Sequence, residues 1–238
     1  MKVARAIRGV PRYVRDYLRF RKSYSGRLEF RPYLTDWYEE GGNTRSDYFW
    51  QDLLVARMIF KAKPEKHVDI GSRVDGFVAH VASFRDIEVI DVRPITTNIP
   101  GIIFKQADLT KPIETMKDYC DSLSCLHALE HFGLGRYGDP IDTNGFEHGF
   151  VNMTPLLKKS GTFYLSVPIG IPRVEFNAHR VLDPQVIIDL AANNALQLSA
   201  FTLIKRHNIQ QLEMKKLDLA QLASQRYSLG VFTFVKTK

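Results

Sequence analysis

The 238-residue sequence predicts an α/β fold, a mostly parallel sheet with helices on both faces. Three observations support this. From residue 67 onward, short apolar runs of strand length alternate with segments of helical periodicity. Several runs lead into glycine or aspartate, as in "VDIGS", "VIDV" and "ADLT", residues that suit turns and helix caps. The composition, 45% hydrophobic and 25% charged with no internal repeat, fits one substantial globular core.

The chain begins with a basic arm. Overall there are 33 Lys and Arg against 26 Asp and Glu, a net charge of +7. Nine of those cations and only one acid, Asp16, fall in residues 1–27, so the rest of the chain is close to neutral. Val3, Ile7, Val10, Val14 and Tyr17 recur at three- and four-residue spacing, with Arg5, Arg8, Arg12, Arg15 and Arg19 on another face. The pattern predicts a basic amphipathic helix kinked at Pro11. Three readings stay open: packing on the domain or a second subunit, peripheral contact with an anionic membrane, and a nucleic-acid arm. Nothing downstream resembles a base-reading module, which disfavours the last.

Residues 23–47 are aromatic and polar, broken by "EEGGNTRSD". The chain therefore divides into an arm and linker, 1–47, and an α/β domain, 48–238. Ser46 can cap a helix over 47–62 whose Phe49, Leu53, Ala56 and Phe60 share a face, and Pro64 ends it. Strands follow at 67–70, 87–91, 102–105, 121–126, 161–167, 196–203 and 227–236, with helices at 74–84, 145–159 and 184–194. The polar stretch between the last two strands reads as partly helical, and those strands as an antiparallel edge pair. The sum is a Rossmann-like, seven-stranded sheet with an antiparallel edge strand.

Cys120 and Cys125 sit five apart on one predicted strand, an offset that points them to opposite faces, so neither a disulfide nor a zinc set is expected. No run approaches the roughly 20 apolar residues of a membrane span, and the N-terminus lacks the apolar core of a signal peptide. A cytoplasmic protein is expected, with peripheral contact at the inner face of the membrane if the arm binds lipid.

In such a sheet ligands sit at the carboxyl ends of the strands. Gly71 and Gly76 occupy the first and third positions of G-x-G-x-x-G, but Arg73 holds the second, which counts against close approach of a pyrophosphate. Asp91 closes the second strand, twenty residues after Gly71, where a carboxylate can accept ribose hydroxyls; Asp108 follows the third strand, within reach of an adenine amino group. Each is equally at home as a turn glycine or a capping aspartate. No G-x-x-x-x-G-K-[ST] loop and no Tyr-x-x-x-Lys pair occurs, which removes P-loop enzymes and short-chain dehydrogenases.

The stretch "LSCLHALEHF" runs a buried strand into His127, Glu130 and His131 at the rim of that site. Either imidazole there could take a hydroxyl proton as general base. "GLGRYGDPIDTNGFEHG" offers Arg136, Tyr137, Asp139, Asp142 and His148, and "PIGIPRVEFNAHRVLDP" adds His179 and Arg180. Carboxylates, amides, cations and flat aromatics suit a hydroxyl-rich substrate, though both stretches can also be surface loops.

Read in order, "VDIGSRVDG", "VIDVRP", "ADLTKP", "SCLHALEHF" and "LLKKSGTFYLSVP" resemble the successive motifs of class I S-adenosylmethionine-dependent methyltransferases, over roughly residues 48–236. "HALEHFGLGRYGDPID" is similar to a segment of an uncharacterised bacterial and nematode family, domain of unknown function 268. The resemblance implies S-adenosyl-L-methionine as cofactor. Gly71, with nearby Asp69 and Ser72, would line the methionine moiety; Asp91 would bind the ribose; Asp108, with Leu109, would lie beside the adenine. The segment also resembles the E-x-x-E-H motif of ubiquinone-biosynthesis O-methyltransferases, which implies a Mg or Mn site at His127, Glu130 and His131. The leading expectation is O-methylation of a small molecule, a sugar or a glycan intermediate. The alternatives are an NAD-dependent sugar-modifying oxidoreductase and a non-catalytic binding module with a degenerate cofactor site.

Overall fold

The computed structural model describes every residue except Met1, Asn43, Arg206 and His207. It forms two compact units, residues 1–44 and 45–238.

In the first unit, α1 (Lys2–Ser23) is one uninterrupted helix that passes through Pro11, where a kink was expected. Residues 24–38 cover one of its sides. Phe30 packs edge-on against Tyr13 at 5.0 Å and Tyr17 at 5.6 Å, and the Arg12 guanidinium lies 3.2 Å from the Trp37 ring centre. Gly9 is buried there, and the chain at Leu34 approaches so closely that a Cβ would come within 2.3 Å of its carbonyl oxygen.

The second unit opens with α2 (Asp47–Ala62), capped by the Ser46 hydroxyl, which accepts from the Tyr48 N–H at 3.2 Å. An eight-stranded sheet follows. Its strands are β1 (His67–Ile70), β2 (Ile87–Asp91), β3 (Ile102–Gln106), β4 (Cys120–Leu126), β5 (Leu157–Ile169), β8 (Leu196–Lys205), β9 (Asn208–Leu212) and β10 (Ser228–Lys236). They lie in the order β3-β2-β1-β4-β5-β10-β8-β9. The first five are parallel; β10 runs antiparallel between β5 and β8, and β9 is an antiparallel edge. β6 (Arg173–Glu175) and β7 (His179–Val181) form a separate hairpin after β5.

Each face of the sheet buries its own core. α2 and α3 (Ala79–Ala82) cover Ile87, Val89, Leu126 and Val231; α4 (Gly145–Met153) and α5 (Pro184–Asn193) cover Ile70, Ile90, Leu123 and Phe163. A short helix, α6 (Leu219–Ala223), precedes β10.

Four sequence expectations are revised. The sheet has an eighth strand, β9, inside the stretch read as partly helical. The helix expected at 74–84 is a π-helical turn, Val74–Val78, running into the four-residue α3. The helix expected to reach 159 stops at Met153 and passes through a 3-10 turn into β5, since Pro155 cannot continue its hydrogen bonding. Cys120 and Cys125 bury in the same core, not on opposite faces, because the β4–β5 register shifts between Cys120 and Ser122 and breaks the alternation.

Candidate functional site

A cavity of about 510 Å³ lies where β1, β2, β3 and β4 end, beside the point where strand order reverses between β1 and β4. Gly71, Ser72, Asp91, Asp108 and Leu109 line it, each just beyond or at the end of a strand. Gly71 makes the first turn at φ +70°, and its N–H donates to the Ile90 carbonyl at 2.9 Å. Arg73 needs no glycine: its backbone is extended at φ −67°, and its side chain turns to Asp75 with contacts of 3.1 and 2.7 Å. Gly76 is required for close approach, because a Cβ there would sit 2.6 Å from Asp52 Oδ2.

Asp69 lies beneath this loop and does not line the cavity. Fully buried, it accepts from Ser72 N–H (3.0 Å), Ser72 Oγ (2.6 Å) and Ser124 Oγ (2.5 Å), while Ser72 Oγ accepts from the Leu126 N–H (3.0 Å). This ties the end of β1 to the end of β4. His67 extends the network through Ser122 and Ser124 at 2.8 and 3.1 Å. Burial pushes Asp69 up to about 7 and His67 down to about 3.

The two shifts have opposite linkage. Between about pH 4 and 7 the unfolded chain has lost the Asp69 proton that the native state keeps, so stability falls with pH by about 1.4 kcal/mol per unit. Between about pH 3 and 6.5 the unfolded chain carries a His67 proton that the native state lacks, so stability rises at the same rate. Over pH 4–6.5 the two slopes offset each other, so His67→Gln is expected to uncover the Asp69 slope and make stability fall by about 1.4 kcal/mol per pH unit relative to wild type. Urea unfolding of both proteins at three pH values checks this; parallel profiles would refute it.

Asp91 is held more tightly than a free ribose acceptor. Arg93 donates to it three times: backbone N–H at 2.8 Å and Nε at 3.0 Å to Oδ1, and Nη2 at 2.6 Å to Oδ2. One acceptor position remains on Oδ2. The Arg93 guanidinium also lies 4.3 Å from the Tyr137 ring, joining the end of β2 to the loop after His131.

His127 ends β4 with φ +51°, an uncommon conformation for a non-glycine residue. Its N–H donates to the Ser166 carbonyl at 3.0 Å, and its ring packs against Tyr48 at 4.6 Å, tilted by 33°. His127 Nδ1 is 2.6 Å from Glu130 Oε1, the geometry of an N–H donating to a carboxylate, which leaves Nε2 with a lone pair. Burial raises Glu130, but His127 and His131 more than offset it and hold the carboxyl below its usual value. Burial likewise lowers His131, whose Nδ1 donates to the Ala178 carbonyl at 2.7 Å.

The implied metal set does not converge. Glu130 is fully buried and engaged by His127, His131 Nδ1 is bound to Ala178, and His131 Nε2 is 3.8 Å from Glu130 Oε1. Among the described residues no three His, Cys, Asp or Glu are grouped to hold an ion.

A second cavity, about 280 Å³, shares Tyr48, His127, His131 and Arg136 with the first and adds Pro168, His179 and Tyr227. Burial pushes the Tyr48 and Tyr227 phenols up, so both stay neutral donors. Of the expected substrate residues, Arg136, Tyr137 and Asp139 line the first cavity and His179 the second. Asp139 also staples its loop, accepting from the Gly133, Gly135 and Tyr137 N–H groups. Asp142, His148 and Arg180 line neither cavity. Asp142 pairs with His148 at 2.7 Å and accepts from the Asn144 N–H at the start of α4. Arg180 is buried, and its guanidinium binds the carbonyls of Glu130, Phe132, Asp142 and Thr143. Tyr48, Arg93 and Tyr227 escaped the sequence reading; only "DVRP", with its arginine two residues past Asp91, carried a signal.

Residues 99–235 match the family described as Caenorhabditis protein of unknown function, DUF268. The chain belongs to the DUF268 family. No curated protein matches it. Solved structures similar to this DUF268 protein include the [4+2]-cyclase SpnF, with a TM-score of 0.57 and 11% identity over 83% of this chain and 86% of that one. Another is 1,6-didemethyltoxoflavin-N1-methyltransferase of Burkholderia thailandensis, solved with 1,6-didemethyltoxoflavin and S-adenosylhomocysteine. Its TM-score is 0.55 at 12% identity, covering 96% of this chain and 87% of that one. The DUF268 chain thus has the fold of the class I S-adenosylmethionine-dependent methyltransferases.

Proposed function

We propose that this DUF268 protein transfers a methyl group from S-adenosylmethionine to a hydroxyl of a small molecule, a sugar or glycan intermediate being the class favoured by the polar second cavity. Fold alone does not select a reaction, as a neighbour named for a [4+2] cyclisation illustrates. The observation that carries the reading is His127 on the wall common to both cavities, with Glu130 holding its Nδ1 from the side of the smaller one.

The residues of the larger cavity fit the cofactor. Gly71 presents its turn without a side chain, Asp91 keeps one acceptor position for a ribose hydroxyl, and Asp108 has an oxygen beyond the Oδ1 that caps Thr110. When bound, S-adenosylmethionine supplies an electrophilic methyl on a sulfonium. The chain does the rest. Tyr48, Tyr227, His179 and Arg136 offer hydrogen bonds that orient a hydroxyl in the smaller cavity. His127 Nε2 takes the hydroxyl proton as the oxygen attacks. Glu130 fixes the imidazole tautomer through Nδ1 and stabilises the imidazolium that forms, as the carboxylate of a catalytic triad does. Protein-bound metal plays no part in these steps.

Calorimetric titration with S-adenosylmethionine, S-adenosylhomocysteine and NAD tests the reading. Saturable binding of the first two but not NAD is expected. Silence toward both methionine-derived ligands from a folded protein would overturn it.

A further inference from the structure

We propose that α1 is an in-plane anchor for an anionic lipid bilayer. The helix has three sectors. At 100° per residue, Val3, Ile7, Val10, Val14 and Leu18 fall within roughly 80° of arc. These side chains are 75%, 67%, 45%, 42% and 55% exposed, an apolar strip about 22 Å long that its own unit leaves uncovered. Arg5, Arg8, Arg12, Arg15 and Arg19 occupy a second sector of similar width, its near edge roughly 60° round from the strip. The third sector, with Gly9, Tyr13 and Tyr17, is the one covered by residues 24–38.

The charge selects the partner. Asp16 is the only acid on the helix, and it pairs with Arg12 at 3.4 Å and Arg15 at 3.0 Å. Among the described residues Arg5, Arg8 and Arg19 make no ion pair, so a second α1 laid on the apolar strip would join two strongly cationic helices with no acid to offset them. A phosphate-bearing surface satisfies both sectors: the valine, isoleucine and leucine side chains enter the acyl boundary, and the long arginine side chains reach round to the headgroups above it. Among the described residues no helix is long and apolar enough to cross a membrane, so the contact is in the plane of the interface.

The test uses the full chain and co-sedimentation with vesicles of phosphatidylcholine alone or with phosphatidylglycerol. Saturable binding to the anionic vesicles is expected, weakening as salt rises. Arg8→Gln/Arg15→Gln/Arg19→Gln should reduce it about 100-fold, from about fivefold per charge. Val10→Asp/Val14→Asp should abolish it. These positions are exposed, and an unchanged thermal transition will show that both variants fold. Indifference to lipid charge, absence of binding, or wild-type binding by either variant would overturn the proposal. So would vesicle indifference combined with dimerisation lost in Val10→Asp/Val14→Asp, or with binding to a DNA duplex.

Discussion

His127→Ala is expected to lower methyl transfer by roughly 10²- to 10⁴-fold while S-adenosylhomocysteine still saturates the protein. The loss follows from the placement of one imidazole at a wall shared by two cavities, with Nδ1 held by Glu130 and Nε2 left to accept a proton. Glu130→Gln should cost a comparable factor, since its amide can neither stabilise an imidazolium nor enforce the same tautomer. The double variant should be little worse than either single one, because the two groups act as a unit. His131→Ala should cost less: its Nδ1 is bound to the Ala178 carbonyl, so its contribution is to hold the β6–β7 hairpin. Single-turnover rates for the four proteins check this order. Full activity in His127→Ala would remove the general base from the mechanism.

Asp91→Ala is expected to weaken S-adenosylhomocysteine binding by about 1–3 kcal/mol, roughly 5- to 150-fold. The carboxylate is 7% exposed and keeps one acceptor position beside its three contacts from Arg93. Removing it leaves both Arg93 and the ribose hydroxyls without their acceptor. Arg93→Ala should have a smaller effect, because Asp91 then regains lone pairs while losing orientation. Titration calorimetry distinguishes the two variants. Wild-type affinity in Asp91→Ala would mean that the end of β2 does not hold the cofactor.

The elements most legible in the sequence were those fixed by local chemistry. β1 and β2 were bounded residue for residue because a short stretch rich in valine and isoleucine ended at a turn glycine or a terminal aspartate. α2 was bounded by its Ser46 cap and by Pro64, but the apolar face read from Phe49, Leu53, Ala56 and Phe60 is only partly the one that turns inward. Ala56 is buried, whereas Phe49, Leu53 and Phe60 are 37%, 37% and 56% exposed. The residues that turn inward include Gln51 and Asp52, since the Ser166 hydroxyl donates to Gln51 and Asp52 packs against the Gly76 backbone. Those partners are distant in sequence, so no local pattern shows them. β9 was missed for the opposite reason. An edge strand is half solvated, and "NIQQL" reads as polar connection.

The site divides the same way. Strand ends pointed to Gly71, Asp91, Asp108 and His127, and all four line the larger cavity. Roles set by long-range contact were not legible: Tyr48 comes from a helix far upstream of His127, and Tyr227 from just before the last strand. Asp142, His148 and Arg180 had suitable chemistry for a substrate, but the fold directs their hydrogen bonds to one another's loops.

Arg180 holds the turn after His127 and the loop to Thr143 entirely through backbone carbonyls. A clamp that recognises only main-chain oxygens does not depend on which side chains the clamped residues bear. Exchanges at Arg136, Tyr137 or Ile141 therefore leave the Arg180 clamp itself in place. In the proposed reaction, the side chains that meet the acceptor and the clamp that holds the turn after His127 can vary independently.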